Sequence, residues 1–242
     1  MYHIKTIVLT HWIMTIIADS LQAIQANIQL AKLAAGRTDA ITLLAVSKSQ
    51  PSDKLRAAYL AGQRVFGENY VQEAINKQAE LTDLAIEWHF IGPIQSNKTA
   101  LIAQHFDWVQ SVDRLKIAQR LNDARPKSLP PLNVCIQINS SDEDSKSGVD
   151  TGSTAMLAKE ISAMPQLRLR GIMAIPAPTK DLAKQRTQFK IVASAFKTLQ
   201  QDFALDTLSI GMSDDYVAAI HEGATIVRIG SAIFGARTIK QE

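Results

Sequence analysis

The chain reads as short apolar runs separated by longer segments of mixed polarity. The runs are ITLLAVS (41–47), RVFGEN (64–69), EWHFIGPI (87–94), WVQSV (108–112), LNVCIQIN (132–139), LRGIMAI (169–175), TLSIGMS (207–213) and TIVRIGSAIFG (225–235). Most are apolar on both alternating positions, the pattern of strands buried on both faces. The segments between them suit helices. Residues 53–61 follow Ser52, a candidate N-cap, and end at Gly62. Residues 70–81 follow the tripeptide GEN, 113–124 begin with Asp113, and a helix opening at Thr151 or Ser153 reaches about Ala163. The stretch 180–202 places Leu182, Phe189, Val192 and Phe196 at roughly helical spacing, and DDYVAAIHEG gives a short helix ending at Gly223. A further helix over 16–35 precedes the first run.

Eight strands alternating with helices predict an α/β chain folded as a single (β/α)8 TIM barrel. A doubly wound open sheet is the competing architecture. It usually carries a glycine-rich turn after its first strand, and here that turn is SKSQPSDK, without glycine. No long helix follows the eighth run, so the N-terminal helix is expected to cover the gap that an eighth helix would fill. Residues 14–242 are expected to form the barrel domain, with no C-terminal β-domain. Residues 1–13 are read as an N-terminal extension outside the fold. They look superficially like a signal segment, but His11 breaks the apolar stretch and no small-residue cleavage site follows. The stretch is also too short to span a bilayer.

Composition narrows the function classes. A chain of 242 residues suits one large α/β domain with a substantial core. With 46% hydrophobic and 20% charged residues, it belongs among globular chains. The net charge of +3 is small and unclustered, which gives no footprint for nucleic acid and a slight bias toward anionic ligands. The single cysteine, Cys135, has no partner within the chain for a disulfide. That fits a reducing, cytoplasmic setting, with Cys135 as a small core residue. His89 reads as a satisfied core histidine, and no cluster suggests a metal site.

Function in such a barrel collects at the C-terminal ends of the strands. Those ends offer Lys48, Glu68, Asn69, Gln95, Asn97, Ser111, Asn139, Ser213, Arg228, Gly230 and Ser231. A lysine desolvated at a strand end becomes a better nucleophile and can form a Schiff base with a carbonyl compound or with pyridoxal phosphate. Taken alone, Lys48 suits equally a lysine that reaches solvent from the rim. SIGMSDD and RIGSAIFGAR add a serine ahead of a short helix and a glycine-serine turn after the eighth strand. Such turns can bind phosphate, and the loops after strands seven and eight are its usual place in this fold. Arg228 and Gly230 lie on the same face of the strand. Arg228 is either directed into the mouth or buried against Glu68 or Asp214.

The motifs AVSKSQP, FGENYVQEA, EWHFIGPIQSNK, SVDR, INSSDEDSKSG, GIMAIPAP, GMSDD and VRIGSAIFG occur in this order. Together they resemble the pyridoxal-phosphate homeostasis proteins, whose fold is similar to the N-terminal barrel domain of alanine racemase. The resemblance covers about residues 15–237. It implies that Lys48 holds pyridoxal 5′-phosphate as a Schiff base and that Ser213, Gly230 and Ser231 grip the phosphate. It also implies that Arg228 faces the ring nitrogen and that Asn69 lies near the cofactor. Lys146 sits in a family motif without an assigned role. Ser231 stands where threonine is common, and Ile210 where methionine is common. The first keeps a hydroxyl and the second alters packing only.

A racemase of this barrel type needs a second base, a tyrosine supplied by a β-domain that this chain is expected to lack. Of its four tyrosines, Tyr2 lies in the extension and Tyr59 fits a core-facing helix side. Tyr70 and Tyr216 open helices near the mouth, where packing beside a cofactor is the plainer role. The expectation is therefore a cytoplasmic, monomeric carrier that holds pyridoxal phosphate or delivers it to apo-enzymes, with no strong catalysis, nucleic-acid partner or membrane partner. A pyridoxal-phosphate-dependent amino-acid racemase and a cofactor-free Schiff-base aldolase are the alternatives.

Overall fold

The computed structural model describes residues 2–139 and 148–236, with side chains from residue 14 onward. Eight parallel strands close into a barrel in sequence order. They are β1 (Thr42–Val46), β2 (Val65–Glu68), β3 (Glu87–Phe90), β4 (Trp108–Val112), β5 (Leu132–Ile138), β6 (Leu167–Ala174), β7 (Thr207–Ser209) and β8 (Ile226–Ile229). The helices are α1 (Tyr2–Ala34), α2 (Ser52–Leu60), α3 (Val71–Glu80), α4 (Thr99–His105), α5 (Leu115–Ala124), α6 (Thr154–Ser162), α7 (Leu182–Leu199), α8 (Tyr216–His221) and α9 (Ser231–Phe234). Closure runs through β1 and β8, with Leu44 opposite Arg228 and Ala45 opposite Ile229.

The predicted runs overreach the strands because their last residues form the functional turns. TIVRIGSAIFG, for example, splits into β8 and the one-turn helix α9. Helix α4, preceded by a short 3-10 turn over Ser96–Lys98, was not predicted. Neither piece has a side-chain N-cap, so no start signal precedes them. Ser52 opens α2 instead of capping it. Pro51 takes the cap position with its extended backbone, and no side chain caps that end. Helix α7 does have a side-chain cap, because the Asp181 carboxylate accepts from the N–H groups of Ala183 and Lys184.

Helix α1 is continuous from Tyr2, longer than the 16–35 segment. Ile17, Leu21, Ile24, Ile28 and Ala31 make its buried stripe at alternating steps of four and three. It packs on α2, α8 and α9, the expected place of an eighth helix. Once those turns are fixed, each added residue gains a hydrogen bond, so the helix can propagate toward its N-terminus. No helix among the described residues is long and apolar enough to cross a membrane.

The core has two parts. Outward-facing strand residues such as Val109, Val134, Ile136 and Ile172 pack with the helices in one large cluster. Trp108, Cys135 and Met173 form a separate small cluster. Strand alternation turns these three the other way, into the barrel interior.

Candidate functional site

The mouth of the barrel holds a cavity of about 180 Å³. Lys48, Asn69, Ser213, Arg228, Gly230 and Ser231 all line it, so the six residues expected at a site come together in one place. Ile91, Ile175 and Met212 supply apolar wall, and no carboxylate is among the described lining residues. The turns after β3, β4 and β5 contribute less than expected. Gln95, Asn97 and Ser111 stand outside the lining, and the Ser111 hydroxyl bonds the Gly92 carbonyl at 2.6 Å. Lys146 lies outside the described residues. A wider groove of about 590 Å³ between α6 and α7 contains none of the expected site residues.

Lys48 is half-buried in a tight turn, Ser47 to Gln50, closed by the Gln50 N–H bonding the Ser47 carbonyl at 3.1 Å. Ser49 adopts φ +60, the only positive φ of a non-glycine residue among the described residues. Beneath the turn, Glu68 is fully buried. Its Oε1 accepts from the Ser47 hydroxyl at 2.6 Å and from Lys77 Nζ at 2.7 Å. Burial pushes the Glu68 pKa up, against the opposing pull of the Lys77 charge and the two hydrogen bonds. Asn69 follows directly. Its Oδ1 is buried without a hydrogen-bond partner among the described residues. A buried amide oxygen in that state fits a site that a ligand donor completes.

The β8 side is built for close approach. Strand register puts Gly230 next to Val46, and a Cβ at Gly230 would stand 3.0 Å from the Val46 carbonyl oxygen. The N–H groups of Ile233 and Phe234 bond the Gly230 carbonyl, winding α9 directly after the strand. The first N–H groups of such a turn have no partner within it and can serve a phosphate. Lys54 of α2 fixes the far end, donating to the Phe234 carbonyl at 2.8 Å and to Gln50 Oε1 at 2.9 Å. Ser213 sits in the turn after β7, where Asp215 Oδ1 accepts from the Met212 N–H. Burial raises the Asp215 pKa, and the Met212 hydrogen bond opposes that rise.

Arg228 is 4% exposed. It pairs with neither Glu68 nor Asp214. Its guanidinium donates to the Ser209 carbonyl at 2.6 Å, to Ser209 Oγ at 2.8 Å and to the Ala174 carbonyl at 2.9 Å. Burial lowers its pKa to about 10, so it stays charged at neutral pH. Behind it runs a chain of buried polar groups through the barrel interior. Ser209 Oγ donates to Gln110 Oε1 at 2.6 Å, which turns the Gln110 amide N–H toward His89 Nδ1 at 2.8 Å. His89 therefore carries its proton on Nε2 and donates it to Glu87 Oε1 at 2.8 Å. Every donor points from the mouth toward the far end, and the chain ends on a carboxylate. Burial lowers the His89 pKa and keeps the ring neutral, while the bond from His89 holds Glu87 low. Trp108 stacks on His89 at 5.0 Å and carries Arg170 on its ring at 4.5 Å. Cys135, also interior, has its thiol pushed up to about 12 by burial and is inert.

The donor set fits a phosphorylated pyridine aldehyde. It offers a lysine amine, two serine hydroxyls, a glycine turn, a charged guanidinium and apolar wall for a ring. The sequence reasoning missed Lys77 and, in the interior chain, Gln110 and Ser209, while His89 is the satisfied core histidine expected. Lys77 had a signal, since it falls at helical spacing on the same face as Val71 and Ala74. The interior residues had one too, as polar side chains within otherwise apolar strands. Tyr59 is half-buried with Arg64 over its ring, not core-facing as expected.

Known proteins resemble this chain over nearly its whole length. The family described as alanine racemase, N-terminal domain, matches residues 20–238. A pyridoxal phosphate homeostasis protein of Pseudomonas aeruginosa is 57% identical over 93% of this chain and 97% of its own length. One from Escherichia coli K12 is 53% identical over 91% of this chain and 97% of its own length. The solved structure of PipY from Synechococcus elongatus PCC7942, with PLP bound, is 37% identical. It superposes with a TM-score of 0.81 over 90% of this chain and 100% of that one. Alanine racemase of Corynebacterium glutamicum shares the fold at a TM-score of 0.70 and 17% identity, over 95% of this chain and 64% of its own length. The chain thus belongs to the alanine racemase N-terminal domain family and, within it, to the pyridoxal phosphate homeostasis proteins.

Proposed function

We propose that this protein binds pyridoxal 5′-phosphate in the mouth cavity and holds or delivers it, taking part in vitamin B6 and amino-acid balance without strong catalysis of its own. The observation that carries the proposal is the convergence of Lys48, Ser213, Arg228, Gly230 and Ser231 on one cavity. The names of the relatives and the PLP-bound PipY structure support it.

When bound, pyridoxal phosphate supplies an aldehyde that an amine can take up and a ring that can withdraw electrons. Lys48 would hold it covalently. Ser213, Ser231 and the turn at Gly230 would bind the phosphate. Arg228 stays charged and would face the ring nitrogen. A fixed cation there disfavours protonation of that nitrogen and weakens the ring as an electron sink. No tyrosine is among the described residues lining the cavity, and Tyr70 stands 57% exposed on the rim. The lack of an opposing tyrosine among the described lining residues supports a holding role over racemisation.

The test combines colour, attachment and turnover. Purified protein should be yellow. Borohydride reduction and peptide mapping should place the pyridoxyl group on Lys48, and Lys48→Ala should abolish the attachment. Loaded protein should hand its cofactor to an apo-enzyme and exchange the α-proton of L-alanine in deuterated water slowly, if at all. Efficient racemisation, with kcat in the usual enzyme range of about 1–10³ s⁻¹ and lost on changing Tyr70 or Tyr216, would overturn the holding role.

A further inference from the structure

We infer that Lys77 and Glu73 of α3 are positioning residues for Lys48, gripping the turn that carries it from both sides and so aiming its amine into the cavity. The inference rests on the reading of Lys48 as the attachment point.

The geometry is specific. Lys77 Nζ donates to the Ser47 carbonyl at 2.7 Å, on one flank of Lys48. Glu73 Oε1 accepts from the Ser49 N–H at 2.6 Å, on the other flank. The two grips are tied together, because Lys77 Nζ also donates to Glu73 Oε1 at 2.5 Å, one helical turn away. The third donor goes to Glu68 Oε1 at 2.7 Å. An ammonium has three donors, so Ser47, Glu68 and Glu73 satisfy Lys77 completely.

Lys77 is 4% exposed, on the face of α3 that also buries Val71 and Ala74. Burying a charge there is costly, and an apolar side chain would fill the space with less penalty. What the ammonium supplies and a methionine would not is a directed bond to the Ser47 carbonyl. The turn needs such support. Ser49 sits in the left-handed region at φ +60, which a residue with a Cβ rarely adopts without local support. Conformations of that kind persist where the surroundings over-determine them. Here the surroundings include a buried side chain and its ion-pair partner, both from the helix that starts two residues after Asn69. The Lys48 turn and the Asn69 loop are therefore both tied to α3.

The test uses the full chain as Lys77→Met, Lys77→Arg and Glu73→Gln, with Lys48→Ala in parallel. Apo protein is titrated with pyridoxal 5′-phosphate and followed by visible absorbance. It is then fixed with borohydride and mapped for the pyridoxylated lysine, with circular dichroism and the thermal midpoint reporting the fold. Folded Lys77→Met should bind roughly 10-fold or more weakly, the scale of a lost charge-assisted bond. Its label should also spread from Lys48 to other lysines. Glu73→Gln should shift both readouts the same way by less, and Lys77→Arg should recover part of the wild-type behaviour. Wild-type affinity with label confined to Lys48 in folded Lys77→Met would overturn the inference, even if its thermal midpoint fell. Should Lys77→Met fail to fold, unchanged affinity and label site in Glu73→Gln would overturn it instead. Fixed label retained in Lys48→Ala would sink the attachment reading itself. Its loss there, beside unaltered Lys77→Met, would sink the positioning role alone.

Discussion

Replacing Gln110 with leucine cuts the interior chain at its midpoint. Gln110 is fully buried, accepts from Ser209 Oγ at 2.6 Å and donates to His89 Nδ1 at 2.8 Å. Leucine fills most of its volume and makes neither bond. Two buried groups are then left without their partners, the Ser209 hydroxyl proton and the His89 ring nitrogen. Each orphan costs about 1–3 kcal/mol, and the added apolar atoms offset part of the sum. The net loss should be about 2–4 kcal/mol, on the order of 5–15 °C in the melting midpoint for a chain of this size. Arg228 keeps its bonds to the Ser209 and Ala174 carbonyls, so the protein should still fold. Urea unfolding followed by circular dichroism gives the stability, and the ¹⁵N shifts of His89 give its tautomer. Wild-type protein should show Nε2–H, with Nδ1 accepting. A loss below about 1 kcal/mol, with the His89 shifts unaltered, would refute the chain as an energetically connected unit.

Two further outcomes follow from the same site. Burial lowers the folded-state pKa of His89 below its ordinary value of 6.5. The unfolded chain therefore takes up a proton there first, so His89 contributes a loss of stability as pH falls below about 6.5. His89→Gln should flatten the stability profile between about pH 7 and 5, where one such group contributes at most about 1.4 kcal/mol per pH unit, and parallel profiles would argue against it. Ser213→Ala and Ser231→Ala should each weaken cofactor binding roughly 5–30-fold, the double variant more; an unchanged double variant would place the phosphate elsewhere.

Much of the site was legible because it lies on turns. Lys48, Ser213 and Ser231 interrupt apolar runs with residues that a buried strand would not keep, and glycine at position 230 marks a close approach. What surrounds them was not legible, because it is assembled from distant segments. Lys77 looks like an ordinary helix lysine until Ser47, Glu68 and Glu73 meet it from three elements. His89, Gln110, Ser209 and Arg228 come from four different strands, and each alone is only a polar residue in an apolar run. The overlong strand predictions share one cause. Apolar content continues past the last ladder bond into turns such as α9, where Ile233 and Phe234 pack into the core.

The placement of the site explains why it needs a closed barrel. Its polar residues and Gly230 lie on or after β1, β2, β7 and β8, which are consecutive around the closed sheet but lie at opposite ends of the chain. In an open sheet with this strand order, β1 and β8 would be the two edges, and Lys48 would stand far from Gly230. Pairing of Ala45 with Ile229 brings Val46 against Gly230, and the glycine is what permits that contact. Three supports then fix the assembled half of the mouth from different directions. Lys77 and Glu73 hold the Lys48 turn from α3, Ser209 and Ala174 hold Arg228 from the interior, and Lys54 holds the end of α9 from α2. These supports share no side chain, so loss of one should leave the other two anchors in place. A mouth anchored in this way can keep the phosphate-binding turns and the Lys48 amine at fixed separation.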